Sequence, residues 1–383
     1  MITISSVFIL LGSLAMFMYG MKIMSEGLQK VAGPQLRHAL GAMTTNRFTG
    51  LITGAFVTAA IQSSTATTVM TVSFVSAGLL TLSQAISVVM GANIGTTMTA
   101  WIMSAGFGFD MRSVIYPAFL LGIILIFSKK NGRKNTGELV FGISFLLLGL
   151  TTLKENAEAM DLGGNAAVLS FFQSLGGHGF LSYLIFLFLG GLLTFCVQSS
   201  AAIMAITMIL CSTGALPLDQ GIALVMGENI GTTITSNVVA MSASAQAQRA
   251  ARAHLIFNLF GVVWVLCIYR YFIQFVCGLV GCDPHAESQD IVTLNAALAA
   301  FHTSFNVCNV LILIWFIKPL EKLVCLLVPT QEGKTDDDEM RLKFIGGGLL
   351  STAELSILEA KKEINVFVER CLKMFQMTRD LLE

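Results

Sequence analysis

Residues 62–97 occur a second time in this chain as residues 198–233, without a gap, at a constant offset of 136 and with 19 identities over 36 positions. The identities cluster at the ends. Gln62-Ser63-Ser64 matches Gln198-Ser199-Ser200, and Met90-Gly91-x-Asn93-Ile94-Gly95-Thr96-Thr97 matches Met226-Gly227-x-Asn229-Ile230-Gly231-Thr232-Thr233. Drift within apolar sequence preserves Leu, Val and Ala. Here small polar residues and glycines are kept inside an apolar background, where polar groups are costly without partners. The pattern points to a duplicated binding site.

The background is that of a membrane protein. The chain is 55% hydrophobic and 12% charged, against about a quarter charged for an ordinary soluble domain. Lys+Arg and Asp+Glu balance at 23 each, which gives no net field for nucleic acid. Apolar runs recur at 7–24, 51–61, 69–82, 114–128, 139–153, 181–197, 201–211, 255–280 and 307–317. A helix needs about 20 residues to cross a hydrocarbon core, so some runs are full spans and others half-spans. The expected fold class is an all-α polytopic membrane protein. Residues 1–24 lack a basic leader and a small-x-small cleavage site and read as a retained first helix. The eight cysteines form no CxxC pair and read as buried small hydrophobes, with Cys277 and Cys282 placed to pair across a loop.

The half-spans meet at the Gln-Ser-Ser tips. Two half-length helices joined at a polar tip form a re-entrant hairpin, tolerated at membrane depth where protein or a water-filled cavity covers the tip. Hairpins are expected at about 49–80 and 184–216, each followed by the Gly-x-Asn-Ile-Gly-Thr-Thr helix. With the N-terminus outside, Lys22, Lys30, Arg37, Arg47, Lys129, Lys130, Arg133, Lys134, Arg249, Arg252, Lys318 and Lys322 fall inside, and acidic stretches such as Glu155–Asp161 fall outside. This gives about seven full spans plus two hairpins, with a cytoplasmic C-terminus. Three spans separate the copies, so the repeats have inverted topology and bring their tips together near the midplane, the layout of secondary transporters. The expected units are a first repeat at 1–135 and a second, inverted one at 136–280. A final helix and interfacial segment at 281–330 and a cytoplasmic acidic linker and helix at 331–383 complete the chain.

Segment 25–48 is amphipathic with a Gly33-Pro34 break and is expected along the inner interface, against lipid. Asp336-Asp337-Asp338-Glu339 is a solvated linker. Residues 349–382 read as a helix with an apolar seam at Leu350, Ala353, Ile357, Ala360, Ile364, Phe367, Cys371, Met374 and Leu381, suited to a coiled-coil partner or to the protein's own inner face.

The tips have the chemistry of an anion site. A helix beginning at each tip has amides without intrahelical partners and a positive dipole end. Ser63, Ser64, Thr65, Ser199 and Ser200 add hydroxyls, and two facing ends make a donor cage for a tetrahedral oxyanion. Neither motif carries Lys or Arg, so bound cations balance the charge. Candidate sodium ligands are the side-chain carbonyls of Gln62, Gln198, Asn93 and Asn229 and the hydroxyls of Thr96, Thr97, Thr232 and Thr233. Gly91, Gly95, Gly227 and Gly231 serve either an unwound, broken helix with exposed carbonyls or close helix packing. Glu228, which replaces Ala92, is a candidate coupling residue for a cation or proton, or an inner-end neighbour of Arg249. His254 with Asn258 and His302 with Asn306 form a smaller echo, suited to helix–helix hydrogen bonds or proton coupling.

These motifs resemble the type II sodium/phosphate cotransporter family, whose signature of two inverted repeats, each with a Gln-Ser-Ser hairpin and a Gly-x-Asn-Ile-Gly-Thr-Thr segment, is matched over about residues 5–320. The resemblance implies sodium-driven uptake of inorganic phosphate by alternating access, with the hairpin tips holding both, no cofactor beyond Na⁺ as coupling ion, and often a homodimer. The absence of long loops resembles the bacterial branch and implies an inner-membrane location. Thr65 and Ala201 depart from the third serine common in animal members. A symporter for another oxyanion such as sulfate, or an ion channel, stays open on the residues alone. An enzyme is not expected: no GxSxG elbow, SxxK or nearby base accompanies Ser63 or Ser199.

Overall fold

The computed structural model describes residues 3–42, 44–76, 79–109, 111–241, 243–283, 290–329 and 353–382. Within them the chain is helical, with no strand. The helices are α1 (Ile4–Ala42), α2 (Arg47–Ile61), α3 (Ser64–Ser76), α4 (Leu82–Gly108), α5 (Arg112–Ile126), α6 (Asn131–Ala159), α7 (Ala166–Gly176) and α8 (Phe180–Val197). There follow α9 (Ser200–Ser212), α10 (Leu218–Ala240), α11 (Ala245–Cys267), α12 (Tyr269–Val280), α13 (Ile291–Leu313), α14 (Ile317–Leu327) and α15 (Ala353–Leu382).

Burial is inverted relative to a soluble domain. Leu120, Ile124, Phe127, Phe188 and Val263 point outward, while Thr58, Thr67, Thr71, Asn258, Asn295, Asn306 and Asn309 are buried. Apolar groups outside and paired polar groups inside suit a hydrocarbon solvent. Among the described residues five helices are long and apolar enough to cross a membrane: residues 4–33 of α1, with α4, α6, α8 and α11. The chain is thus a multi-pass membrane protein. The count of seven full spans is not reached by length and composition. α5 has only 15 residues. α10 buries Glu228 and Asn237, and α13 buries Asn295, His302, Asn306 and Asn309, which lowers their hydropathy.

Glycines set the helix pairs. Gly20 packs on the backbone of Phe145 and Leu146, Gly27 on Leu139, Gly142 on Ile23 and Met24, and Gly149 on Met16 and Phe17. Numbers rise on one helix as they fall on the other, so α1 and α6 run antiparallel, backbone to backbone. Lys30 pairs with Glu138 at one end of this unit, and Arg112 with Glu155 at the other. The two glutamates are 17 positions apart, about 26 Å at 1.5 Å per residue, close to the ~30 Å hydrocarbon core.

The repeated glycines have the same use. Gly91 packs on Leu51 and Ala55 of α2, Gly95 on Ala55, Thr58 and Ala59, and Gly54 packs back on Val88. At the offset of 136, Gly227 packs on Leu187 and Gly191 of α8, Gly231 on Gly191 and Thr194, and Gly190 packs back on Leu224. Numbers rise together in both pairs, so α2 runs parallel to α4 and α8 to α10. This corrects the expectation of broken helices at the second motif. α4 and α10 are helical throughout, because these glycines admit a neighbouring backbone.

Other boundaries also move. The Gly33-Pro34 break is not made: α1 continues to Ala42, so residues 25–42 extend the first helix. The 255–280 run divides at Ile268 into α11 and α12. Cys277 and Cys282 are both buried, and no disulfide joins them. The α12 cap brings them near, with the Cys282 amide donating to the Cys277 carbonyl at 2.9 Å. The acidic linker lies outside the described residues. α15 forms where a helix is expected, and its seam residues Ile364, Phe367 and Met374 stand exposed.

Candidate transport site

Each Gln-Ser-Ser tip is a break between two helices. α2 opens with Asn46, whose side chain accepts from the Phe48 and Thr49 amides, and closes at Gln62. Gln62 has φ 57°, and its counterpart Gln198, closing α8, also has φ 57°. Among the described residues only these two and Asp161 combine positive φ with a side chain. The left-handed conformation costs a non-glycine residue roughly 1–2 kcal/mol, and glycine would remove that cost. The chain twice keeps a glutamine where the backbone favours glycine, so the side chain carries the reason. Serine then caps the next helix in both copies. Ser63 Oγ accepts from the Ala66 amide and Ser199 Oγ from the Ala202 amide, each at 3.2 Å.

The two tips are held differently. Gln62 Oε1 accepts from Thr99 Oγ1 at 2.7 Å, and Gln62 Nε2 donates to the Ala59 carbonyl at 2.5 Å. Thr58 Oγ1 donates to Thr67 Oγ1 at 2.9 Å and joins α2 to α3. In the second copy the position of Thr67 is Ile203, the buried Thr194 hydroxyl has no partner, and Gln198 is exposed. Thr235, the counterpart of Thr99, bonds weakly to its own helix at Gly231.

The second motif places its asparagines against the His-Asn pairs. Asn93 Oδ1 lies 2.8 Å from His254 Nε2, and Asn229 Oδ1 lies 3.3 Å from His302 Nε2 and 3.5 Å from Asn306 Nδ2. Helix–helix hydrogen bonding is thus the observed use of both histidines. The threonines bond within their own helices: Thr96 to Ala92, Thr97 to Ile94, Thr232 to Glu228 and Thr233 to Ile230. Their protons are spent, but their oxygen lone pairs are not.

A small cavity collects part of this set. Thr96 and Thr99 from α4, Ser200 from the second tip, Glu228 from α10 and His302 from α13 line it together. Ser64 is buried at the start of α3; Ser63, Thr65 and Gln198 lie outside this cavity, as do Thr97, Thr232, Thr233 and the two motif asparagines. Glu228 makes no ion pair with Arg249, whose Nε donates to the Val328 carbonyl.

The family model described as Na⁺/Pi-cotransporter matches residues 16–155 and 173–280. The chain belongs to this family. Na⁺/Pi-cotransporter family members are transporters rather than enzymes. A candidate inorganic phosphate export protein of Escherichia coli, YjbB, is 26% identical over 92% of this chain and 61% of its own length. The chain thus spans about three fifths of the YjbB relatives it matches. YqeW of Bacillus subtilis, named as uncharacterised, is 27% identical over 82% of this chain and 96% of its own. The rat sodium-dependent phosphate transport protein 2A is 40% identical over a segment covering 27% of this chain and 17% of that protein. No solved structure matches. Within this family member, sequence reasoning passed over Thr99 and the histidines' partners. The signal for Thr99 lay just past the repeat, where Thr99 and Thr235 keep the 136-residue offset.

Proposed function

We propose that this protein is a secondary active symporter of the inner membrane, coupling inward sodium flow to uptake of inorganic phosphate by alternating access. The observation that carries the reading is the pair of left-handed glutamine tips, Gln62 and Gln198, each opening a serine-capped helix. Phosphate is held by Ser63, Ser64, Thr65, Ser199 and Ser200 with the first amides of α3 and α9, where the helix dipole favours an anion. Sodium is drawn from Gln62, Gln198, Asn93, Thr96, Thr97, Asn229, Thr232 and Thr233, and Glu228 takes part in coupling.

Parallel packing of α2 on α4, with α3 between them in sequence, supports a re-entrant hairpin; α8, α9 and α10 support a second. Antiparallel packing of α1 on α6, the helices that precede the two hairpins, supports inverted repeats. The family and the name of the rat relative favour phosphate and sodium as substrates. The names of the YjbB relatives favour a second reading, net phosphate export through the same site. In the oriented chain the N-terminus is outside and the C-terminus cytoplasmic, and a homodimer is the expected assembly.

Radiolabelled phosphate uptake into proteoliposomes, with and without an inward sodium gradient, tests the coupling. Accumulation only with the gradient is expected; equal accumulation without it overturns sodium symport. Right-side-out and inside-out vesicles then separate uptake from export.

A further inference from the structure

A cavity of about 180 Å³ lies at the opposite end of α9 from the Ser200 tip. Three helices end on it: Phe107 lies in the last turn of α4, Glu158 in the last turn of α6, and Ser212 is the last residue of α9. Of the helices that line it, only α13 begins there, with Ile291. Helix C-termini carry partial negative charge, so three negative ends face one positive start. The side chains add the same sign. Glu158 and Asp161 line the cavity against a single cation, Lys154, whose ammonium donates to the Phe107 carbonyl at 2.8 Å.

Both hydroxyls in the lining have given up their protons. Ser212 Oγ donates to the Met208 carbonyl at 2.5 Å and to Asn295 Oδ1 at 3.1 Å, and Thr213 Oγ1 donates to the Ile209 carbonyl at 2.9 Å. Each still presents oxygen lone pairs. Asp161 is held in place from behind: its φ is 46°, its Oδ1 accepts from the Gly164 amide at 3.2 Å, and Gly163 packs against the Thr213 carbonyl. The lining side chains thus offer many acceptors and, apart from Lys154, no donor. A net negative charge and a surplus of acceptors exclude phosphate and call for a ligand that donates.

The remaining walls are apolar: Phe107, Ala157, Leu162, Ile209 and Ile291. An apolar cavity of about 150 Å³ holds benzene, so this one has room for a ring-sized body. We propose that it binds a small organic cation, a primary ammonium carried on such a body. The ammonium donates to the Glu158 and Asp161 carboxylates and the two hydroxyl oxygens, in charge-assisted hydrogen bonds, and the ring lies against Leu162 and Ile209. The position gives the ligand leverage. α9 runs from the cavity to Ser200 and α4 runs from it back to Thr99 and Asn93, so an occupant is wedged between helices of both copies. With residues 155–161 facing outside, the ligand arrives from outside and slows uptake without competing with phosphate. That last consequence rests on the proposed function, whereas binding itself does not.

Calorimetric titration of the purified full chain with phenethylamine, and with its neutral and anionic counterparts phenethyl alcohol and phenylacetate, is the test. The amine is expected to bind about tenfold or more tighter than the alcohol, and phenylacetate to bind more weakly than either. Glu158→Gln, at an exposed side chain, and Asp161→Asn, which asparagine tolerates at positive φ, are each expected to reduce the amine's advantage and together to abolish it. Ile291→Trp fills the cavity and is expected to weaken amine and alcohol alike. Unchanged melting midpoints show that the variants fold. An alcohol bound as tightly as the amine, or an amine affinity unchanged in folded Glu158→Gln with Asp161→Asn, overturns the site. Amine binding lost in these variants, with sodium-driven phosphate uptake insensitive to the amine, would leave the site standing and remove its leverage on transport. Such binding in a protein that shows no sodium-driven uptake would remove the symport reading instead.

Discussion

Gly91→Ala tests whether the repeated glycines are packing positions. In the structure a methyl group there would sit 2.8 Å from the Ala55 nitrogen of α2 and closer still to the Leu51 carbonyl. Ordinary contact begins near 3.4 Å, so the two backbones must separate by more than half an ångström along a seam that also holds Gly54 and Gly95. Overpacking of this kind costs about 1–3 kcal/mol, partly offset by the ~1 kcal/mol that alanine gains over glycine within a helix. Gly12→Ala is the control: nothing lies within 4 Å of its added methyl, so only the propensity gain of ~1 kcal/mol applies. Thermal unfolding of the purified protein in detergent is therefore expected to show a lower midpoint for Gly91→Ala and an unchanged or higher one for Gly12→Ala. Gly227→Ala, 2.7 Å from the Gly191 nitrogen, is expected to match Gly91→Ala. If Gly91→Ala melts like Gly12→Ala, the glycines are not held against α2 and the packing argument fails.

Ser64→Ala and Ser200→Ala remove hydroxyls assigned to phosphate and are expected to raise the phosphate KM several-fold, roughly 1 kcal/mol per lost hydrogen bond; uptake kinetics equal to wild type would exclude these serines. Gln62→Gly relieves the left-handed strain by roughly 1–2 kcal/mol but deletes the contact to Thr99, so stability close to wild type with altered sodium dependence is expected, and a normal sodium titration would make the glutamine structural. Asn131→Cys and Glu158→Cys mark opposite ends of α6 and are expected to react with impermeant thiol reagents from opposite sides of the membrane in a background freed of other exposed cysteines; labelling from one side would overturn the orientation.

The tips were legible in the sequence because duplication preserved polar residues in apolar surroundings, and the helix ends fall at Ile61 and Val197 beside the two glutamines. The glycines were ambiguous for a physical reason. Small residues four apart suit both an unwound backbone and a close neighbour, and the neighbour of Gly91 is Leu51, forty residues upstream. Local rules also misplaced the end of α1. A proline after glycine commonly marks a stop, but Leu36 and Leu40 beyond it are buried in a cluster with Val57, Ile61 and Ile86, so tertiary packing carries the helix on to Ala42. Thr99 left only its 136-residue match to Thr235 and His302 only its echo of His254; that both lie beside Ser200 follows from tertiary packing alone.

One tip is latched and the other is not. Thr58 to Thr67 and Gln62 to Thr99 clamp the first turn-back, while Ile203 and the exposed Gln198 leave the second without either clasp. Two hydrogen bonds at about 1 kcal/mol each make the first break harder to open than the second by more than tenfold at ambient temperature. A chain that carries one motif twice thereby acquires a stiff copy and a compliant copy.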